Sequence, residues 1–262
     1  MYQHHADSLK IMVEHFQQKE EAIALIFGGS VAKGMERPDS DLDGMVIISE
    51  EDYAKRAASG ELSETITGKC TYEGGYFDVK YLTKAYIKAA AEHGSEPTRN
   101  AFLCAQVMFS SDPEIEEIVN RIGVFQEKES DDKMLSFFSD LSLNYYYFWK
   151  ACKPEGYMRV HTADEILYSV YRMILQQNKV LFPSNRRLEQ TVESVANKPE
   201  NIIALDRKFA EDMSDENCDA FVNAFFGWNQ YPFPESLEPV MTRYQADFET
   251  WWYKPRPLVN EW

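Results

Sequence analysis

In residues 7–20 the apolar side chains Leu9, Met12, Val13 and Phe16 fall at i, i+3, i+4 and i+7, the spacing of an amphipathic helix. The pattern then changes. AIALIF, residues 22–27, is a continuous apolar run stopped by Gly28-Gly29, and it predicts a buried strand. Residues 30–35 hold one or two helical turns. Pro38-Asp39-Ser40 is turn chemistry, and GMVIIS, residues 44–49, is a second, β-branched strand. KCTYEGGYFDVKYLT predicts a hairpin, with alternating segments around Glu73-Gly74-Gly75. In its second arm Phe77, Val79 and Tyr81 share one face, and Tyr76, Asp78 and Lys80 share the other. Residues 84–93 read as a helix, AQVMFS (105–110) as a strand and residues 113–122 as a helix.

Beyond Ile122 the strand patterns stop. Residues 123–132 are polar, and helical patterns follow over 131–150, 162–179, 184–197, 202–213, 216–228 and 238–253. Thr162 with Glu165 three residues on reads as a capping box opening the second of these. Pro239 is tolerated in the first turn of the last. The tail YKPRPLVNEW is broken by proline and predicted irregular. The patterns therefore predict a mixed-sheet α/β (α+β) domain over residues 1–122 and an all-α helical bundle over 123–262.

Composition narrows the partners. The chain has 262 residues and is 44% hydrophobic, enough for a sizeable core. Its net charge of −16 and lack of a basic run argue against a nucleic-acid polymer and suit a cationic partner. Cys70, Cys104, Cys152 and Cys218 lie far apart without a CxxC pair, which fits reduced thiols rather than a disulfide framework or a zinc site. The N-terminus has no apolar signal-type run, and no stretch is long enough to span a bilayer, so a cytoplasmic protein without a membrane partner is expected. His4-His5 is too short to read as a metal tract.

The candidate chemistry sits in FGGSVAKGMERPDSDLDGMVIIS, residues 27–49. Asp41 and Asp43 are two apart, so on an extended backbone their carboxylates point the same way. Like charges that close raise a pKa unless a cation lies between them. Oxygen ligands select a hard divalent ion, Mg²⁺. Asp78, an acid inside the YFDVKYL strand, is the candidate third ligand. The Gly29-Ser30 turn after a strand lets backbone N–H groups approach a phosphate, and Lys33 can neutralise its charge.

Gly29-Ser30, Lys33-Gly34 and Ser40-Asp41-Leu42-Asp43 before an apolar strand resemble the DNA polymerase β-like nucleotidyltransferase superfamily. Its pattern is Gly-Ser, then Asp-x-Asp, then a third Asp on a later strand, here Asp78. Many members carry an arginine where this chain has Lys33, which keeps the charge but loses the bidentate fork. The resemblance spans about residues 22–112. NKVLFPSNRRL (178–188) is similar, more weakly, to a segment in the helical domains of bacterial small-molecule, antibiotic-type nucleotidyltransferases, and by that match Asn178, Lys179 and Arg186 would face the nucleotide or acceptor. The resemblance implies two Mg²⁺ ions on Asp41, Asp43 and Asp78, with ATP or another NTP as substrate. It also implies a small-molecule acceptor, with aminoglycoside- or lincosamide-like antibiotics among the possibilities, in a cleft shaped by the helical domain. A protein adenylyltransferase of toxin-neutralising type and a non-catalytic nucleotide-binding regulator are the alternatives. Glu96, in HGSEPTRN, is a weak candidate for the general base. The aromatic run at Tyr145–Trp149 reads mainly as core.

Overall fold

β1 (Ala24–Gly28) is buried along its whole length, as an uninterrupted apolar run requires. The computed structural model describes residues 1–253. In it β1 lies between β2 (Leu42–Ile48) and β5 (Gln106–Ser110), antiparallel to both. β2 pairs in parallel with β4 (Tyr76–Thr83), and β4 pairs antiparallel with β3 (Ser63–Thr67). The order is β3-β4-β2-β1-β5, a mixed sheet.

Strand parity sorts the side chains between two cores. Leu25, Phe27, Val46, Ile48, Phe77 and Val79 face α1 (Gln3–Gln17), which contributes Leu9, Met12 and Phe16. Ala24, Ile26, Met45 and Ile47 face the other way, against Ile87 of α4 (Lys84–His93) and Ile115 and Ile118 of α6 (Glu114–Asn120). Between these elements lie α2 (Gly29–Ala32), α3 (Glu50–Ser59) and α5 (Glu96–Ala101). This unit runs from Met1 to Val124, and a second begins at Phe125.

The second unit is helical throughout. α7 (Glu127–Ser142) passes into a π-helical stretch, Leu143–Ala151, and α8 (Gly156–Gln177) follows. A 3₁₀ turn, Asn185–Arg187, leads into α9 (Leu188–Ser194). α10 (Ile202–Glu211), α11 (Asp215–Trp228) and α12 (Leu237–Tyr244) complete it, and α12 also ends in a π-helical turn, Gln245–Glu249. Its core draws Phe137, Leu141, Tyr145 and Trp149 from the first helix, Ile166, Val170 and Ile174 from α8, and Phe209, Phe221 and Phe225 from α10 and α11. The chain is thus a mixed-sheet α/β unit followed by an all-α unit.

Two local expectations are corrected, and one helix was not anticipated. The hairpin arm before Glu73 is not a strand: its partner strand is β3, further upstream. Residues 69–73 are drawn out of the sheet. The Thr71 amide donates to Ser8 Oγ (2.9 Å), Thr71 Oγ1 donates to the His4 carbonyl (3.0 Å), and the Tyr72 hydroxyl donates to the Ser40 carbonyl (2.5 Å). Thr162 caps nothing. α8 begins earlier, at Gly156, where exposed Tyr157 and Val160 give no apolar stripe, and Thr162 is interior and fully buried. α3 escapes the periodicity because it buries no residue; its ends are set by Ser49, which accepts from the Asp52 amide, and by left-handed Gly60. Most of the tail, residues 254–262, lies outside the described residues.

Candidate metal centre

Asp43, Met45 and Ile47 share one face of β2, and Asp41 immediately precedes the strand on the same parity, so the apolar pattern of the α4–α6 core gives way to acid at one end of the strand. Asp43 stands opposite Gly28 of β1 and in register with Asp78 of β4. Register between parallel neighbours puts both side chains on one face, and Asp41, two residues earlier, joins them. Each of the three offers a carboxylate oxygen, and these oxygens lie within 4.8 Å of one another.

The electrostatics are unresolved within the protein. Burial first, then the charges of Asp41 and Asp78, raise the Asp43 pKa to about 6 against the opposing pull of Lys80 and Lys33. The Tyr76 hydroxyl hydrogen-bonds to Asp41, which holds the phenol above its ordinary value. Among the described residues no side-chain hydrogen bond reaches the carboxylates of Asp43 or Asp78. Three part-buried carboxylates, two of them without a donor, are a donor set that fits a hard divalent cation.

The glycine turn is built onto the same carboxylate. Gly29 has φ +72°, and a Cβ there would stand 1.7 Å from Asp43 Oδ2. Only glycine lets the backbone pass that close to the acid. Ser30 follows in the single turn of α2, half-buried, and Lys33 closes it. Lys33 Nζ donates to Asn100 Oδ1 of α5 at 2.7 Å. The turn leading to Asp41 is also held: the Arg37 amide donates to Ser40 Oγ at 2.9 Å, and His4 Nε2 meets the Pro38 carbonyl at 3.0 Å.

No family model matches the chain, and no curated protein matches it. Among solved structures it is similar to a nucleotidyltransferase-like protein from Exiguobacterium sibiricum 255-15. The identity is 10%, the match covers 96% of this chain and 81% of that chain, and the TM-score is 0.45.

Asn178, Lys179 and Arg186 belong to the second unit. Asn178 ends α8, its Nδ2 donating to the carbonyls of Ile174 (2.8 Å) and Asn197 (2.6 Å). Lys179 takes a left-handed conformation, φ 54°, and pairs with Glu127 at 2.9 Å on the surface. Arg186 is exposed in the 3₁₀ turn. Glu96 is not a loop glutamate: it is the first residue of α5, behind the cap of Ser95, and is fully buried, so it is removed as a solvent-facing base. In the aromatic run Tyr145 and Trp149 are core, while Tyr146 and Tyr147 are exposed. Tyr76, Lys80 and Asn100 were missed as site residues. Tyr76 and Lys80 carried a signal, since they share the strand parity of Asp78; Asn100 carried none.

No helix of the described residues is long and apolar enough to cross a membrane.

Proposed function

We propose that the chain is a metal-dependent nucleotidyltransferase that moves an NMP group from an NTP, ATP first, to a hydroxyl of a small-molecule acceptor. The observation that carries this reading is the convergence of Asp41, Asp43 and Asp78 within 4.8 Å, with the Gly29 backbone packed against Asp43. In this reading the three aspartates hold Mg²⁺, two ions in the full complex, while the Gly29-Ser30 turn and Lys33 hold the β- and γ-phosphates. Bound metal supplies charge neutralisation on the triphosphate and acidifies the attacking hydroxyl.

The chain's own residues orient the rest. The acceptor oxygen attacks the α-phosphorus, the bond to the bridging oxygen breaks, and pyrophosphate leaves with that electron pair. The acceptor proton passes to solvent or to a carboxylate. Lys33, positioned by Asn100, bears on the leaving group. Tyr76 holds Asp41 in its ligating orientation.

Pyrophosphate release with Mg²⁺ and each NTP tests the proposal, run against a panel of aminoglycosides, lincosamides and cell extract, with mass spectrometry for nucleotide-shifted products. Activity is expected in the wild type and loss to background in Asp41→Asn, Asp43→Asn and Asp78→Asn. Activity that survives Asp41→Asn removes the metal site. A product on protein rather than on a small molecule moves the acceptor to a protein hydroxyl.

A further inference from the structure

Within the second unit a cavity of about 180 Å³ is walled by the rings of Phe148, Tyr244 and Phe248 and lined as well by Asp140, Glu165 and His161. Asp140 is 4% exposed. Its oxygens are taken: Ser169 Oγ donates to Oδ2 at 2.6 Å, and Asn144 Nδ2 donates to Oδ1 at 2.9 Å. Asp140 and Glu165 are also hydrogen-bonded to each other. Burial raises both acids, Asp140 well above the usual carboxylate range. The other charged groups bearing on Glu165 are His161 and Asp164 on its own helix; Glu249 adds its charge at Tyr244. His161 Nδ1 stands 4.0 Å from Glu165, beyond hydrogen-bond reach, and its ring lies flat on Tyr157. Neither lysine nor arginine lines the cavity among the described residues.

Among the described residues the helices widen into π-helical turns at two places, and both border this cavity. The Cys152 amide donates to the Tyr147 carbonyl and the Thr250 amide to the Gln245 carbonyl, each at 2.9 Å and five residues apart. These π-helical stretches, Leu143–Ala151 and Gln245–Glu249, carry Phe148 and Phe248. Such turns strain a helix and concentrate at functional sites.

The lining selects one chemistry. An anion would meet two acids and neither lysine nor arginine. A bare metal ion wants six or more oxygens, and here rings take up much of the lining while Asp140 already accepts from Ser169 and Asn144. An alkylammonium fits both halves, its charge against a carboxylate and its carbons against aromatic faces. We propose that this cavity binds a protonated organic amine, with Glu165 as its counter-ion and Phe148, Tyr244 and Phe248 as its walls. The site stands on the second unit alone and does not depend on nucleotidyl transfer or on the aspartate trio.

Calorimetry on the full chain tests it, with 1,4-diaminobutane and spermidine as probes, 1,4-butanediol as the uncharged match and Mg²⁺ alone as the inorganic cation. Saturable one-to-one binding of the amines, with none of the diol at the same site, is expected. Glu165→Gln should weaken it by about tenfold or more, equivalent to about 1.4 kcal/mol. Phe148→Trp, which narrows the cavity without touching its charge, should weaken it too, while Asp43→Asn should leave it unchanged. Circular dichroism melts establish that each variant folds; should Glu165→Gln fail to fold, Phe148→Trp decides. Absence of saturable amine binding, affinity unchanged by both cavity variants, or equal binding of the diol would each overturn the proposal.

Discussion

Asp43→Asn is expected to stabilise the metal-free protein. Burial and the flanking Asp41 and Asp78 charges move the Asp43 pKa from its ordinary 3.8 to about 6. The sign follows from proton binding. The folded state holds the Asp43 proton more tightly than the unfolded chain, so ionising it costs folded stability as pH rises through about 6. The gap corresponds to about 3 kcal/mol at neutral pH, and the part-exposed setting reduces this to about 2 kcal/mol. For a chain of this size that is a rise of about 4–8 °C in Tm. The assay is a thermal melt in chelator at about pH 7.5 and about pH 5, on either side of the Asp43 midpoint. The variant's advantage should be present at the higher pH and shrink at the lower one. Adding Mg²⁺ should stabilise the wild type and leave the variant where it was. An Asp43→Asn protein that melts at or below the wild type in chelator at the higher pH would refute the claim that these carboxylates repel one another unrelieved.

Gly29→Ala should abolish the Mg²⁺-dependent rise in Tm, because its Cβ would stand 1.7 Å from the Asp43 carboxylate and its φ is +72°; retention of that rise would show the close approach to be unimportant. Tyr76→Phe removes the hydrogen bond to Asp41, and a several-fold weaker Mg²⁺ affinity by titration calorimetry is expected, with stability changed by about 1 kcal/mol or less. Asn100→Ala should raise the KM for the nucleotide more than it lowers kcat, since Lys33 loses the partner at 2.7 Å that aims it. His5 is fully buried, and burial first, then the neighbouring His4 charge, lower its pKa below 6.5. Its contribution to stability is present above pH 6.5 and lost as pH falls through the lowered value, opposite in sign to Asp43, so His5→Phe should flatten the acid limb of the stability curve.

Much of this protein could be read from its pattern. The strand at β1, the helix at α4 and the shared face of Asp41 and Asp43 follow from periodicity alone, and parity on β4 put Asp78 on its own face. That Asp78 joins Asp41 and Asp43 is the expectation drawn from the mid-strand acid and from the resemblance, and the three do converge; the residue-for-residue register of Asp43 with Asp78 was not readable, because pairing between non-adjacent strands is set by packing across the sheet. Local propensity failed where tertiary hydrogen bonds dominate. Thr71 and Tyr72 belong by sequence to a strand, yet bonds to α1 and to the Ser40 turn hold them off the sheet. It failed again at Glu96, where a Gly-Ser-Glu-Pro loop signal hid the cap of Ser95 and a buried acid. The acid pair at Asp140 and Glu165 is invisible in the sequence, since it joins two helices at a place where one of them widens into π-helical turns.

The alignment of Gly28, Asp43 and Asp78 across three strands also sets where this chain can change length. A single-residue insertion within β2 or β4 would turn one acid to the opposite face of the sheet while leaving its neighbours in place. Residues 60–62, which join α3 to β3, lie outside that row, and extra length there leaves the register of β2 and β4 untouched. Length variation in functional descendants of this sequence should therefore collect in such surface joins and spare the strands, and libraries of inserted residues would draw that map directly.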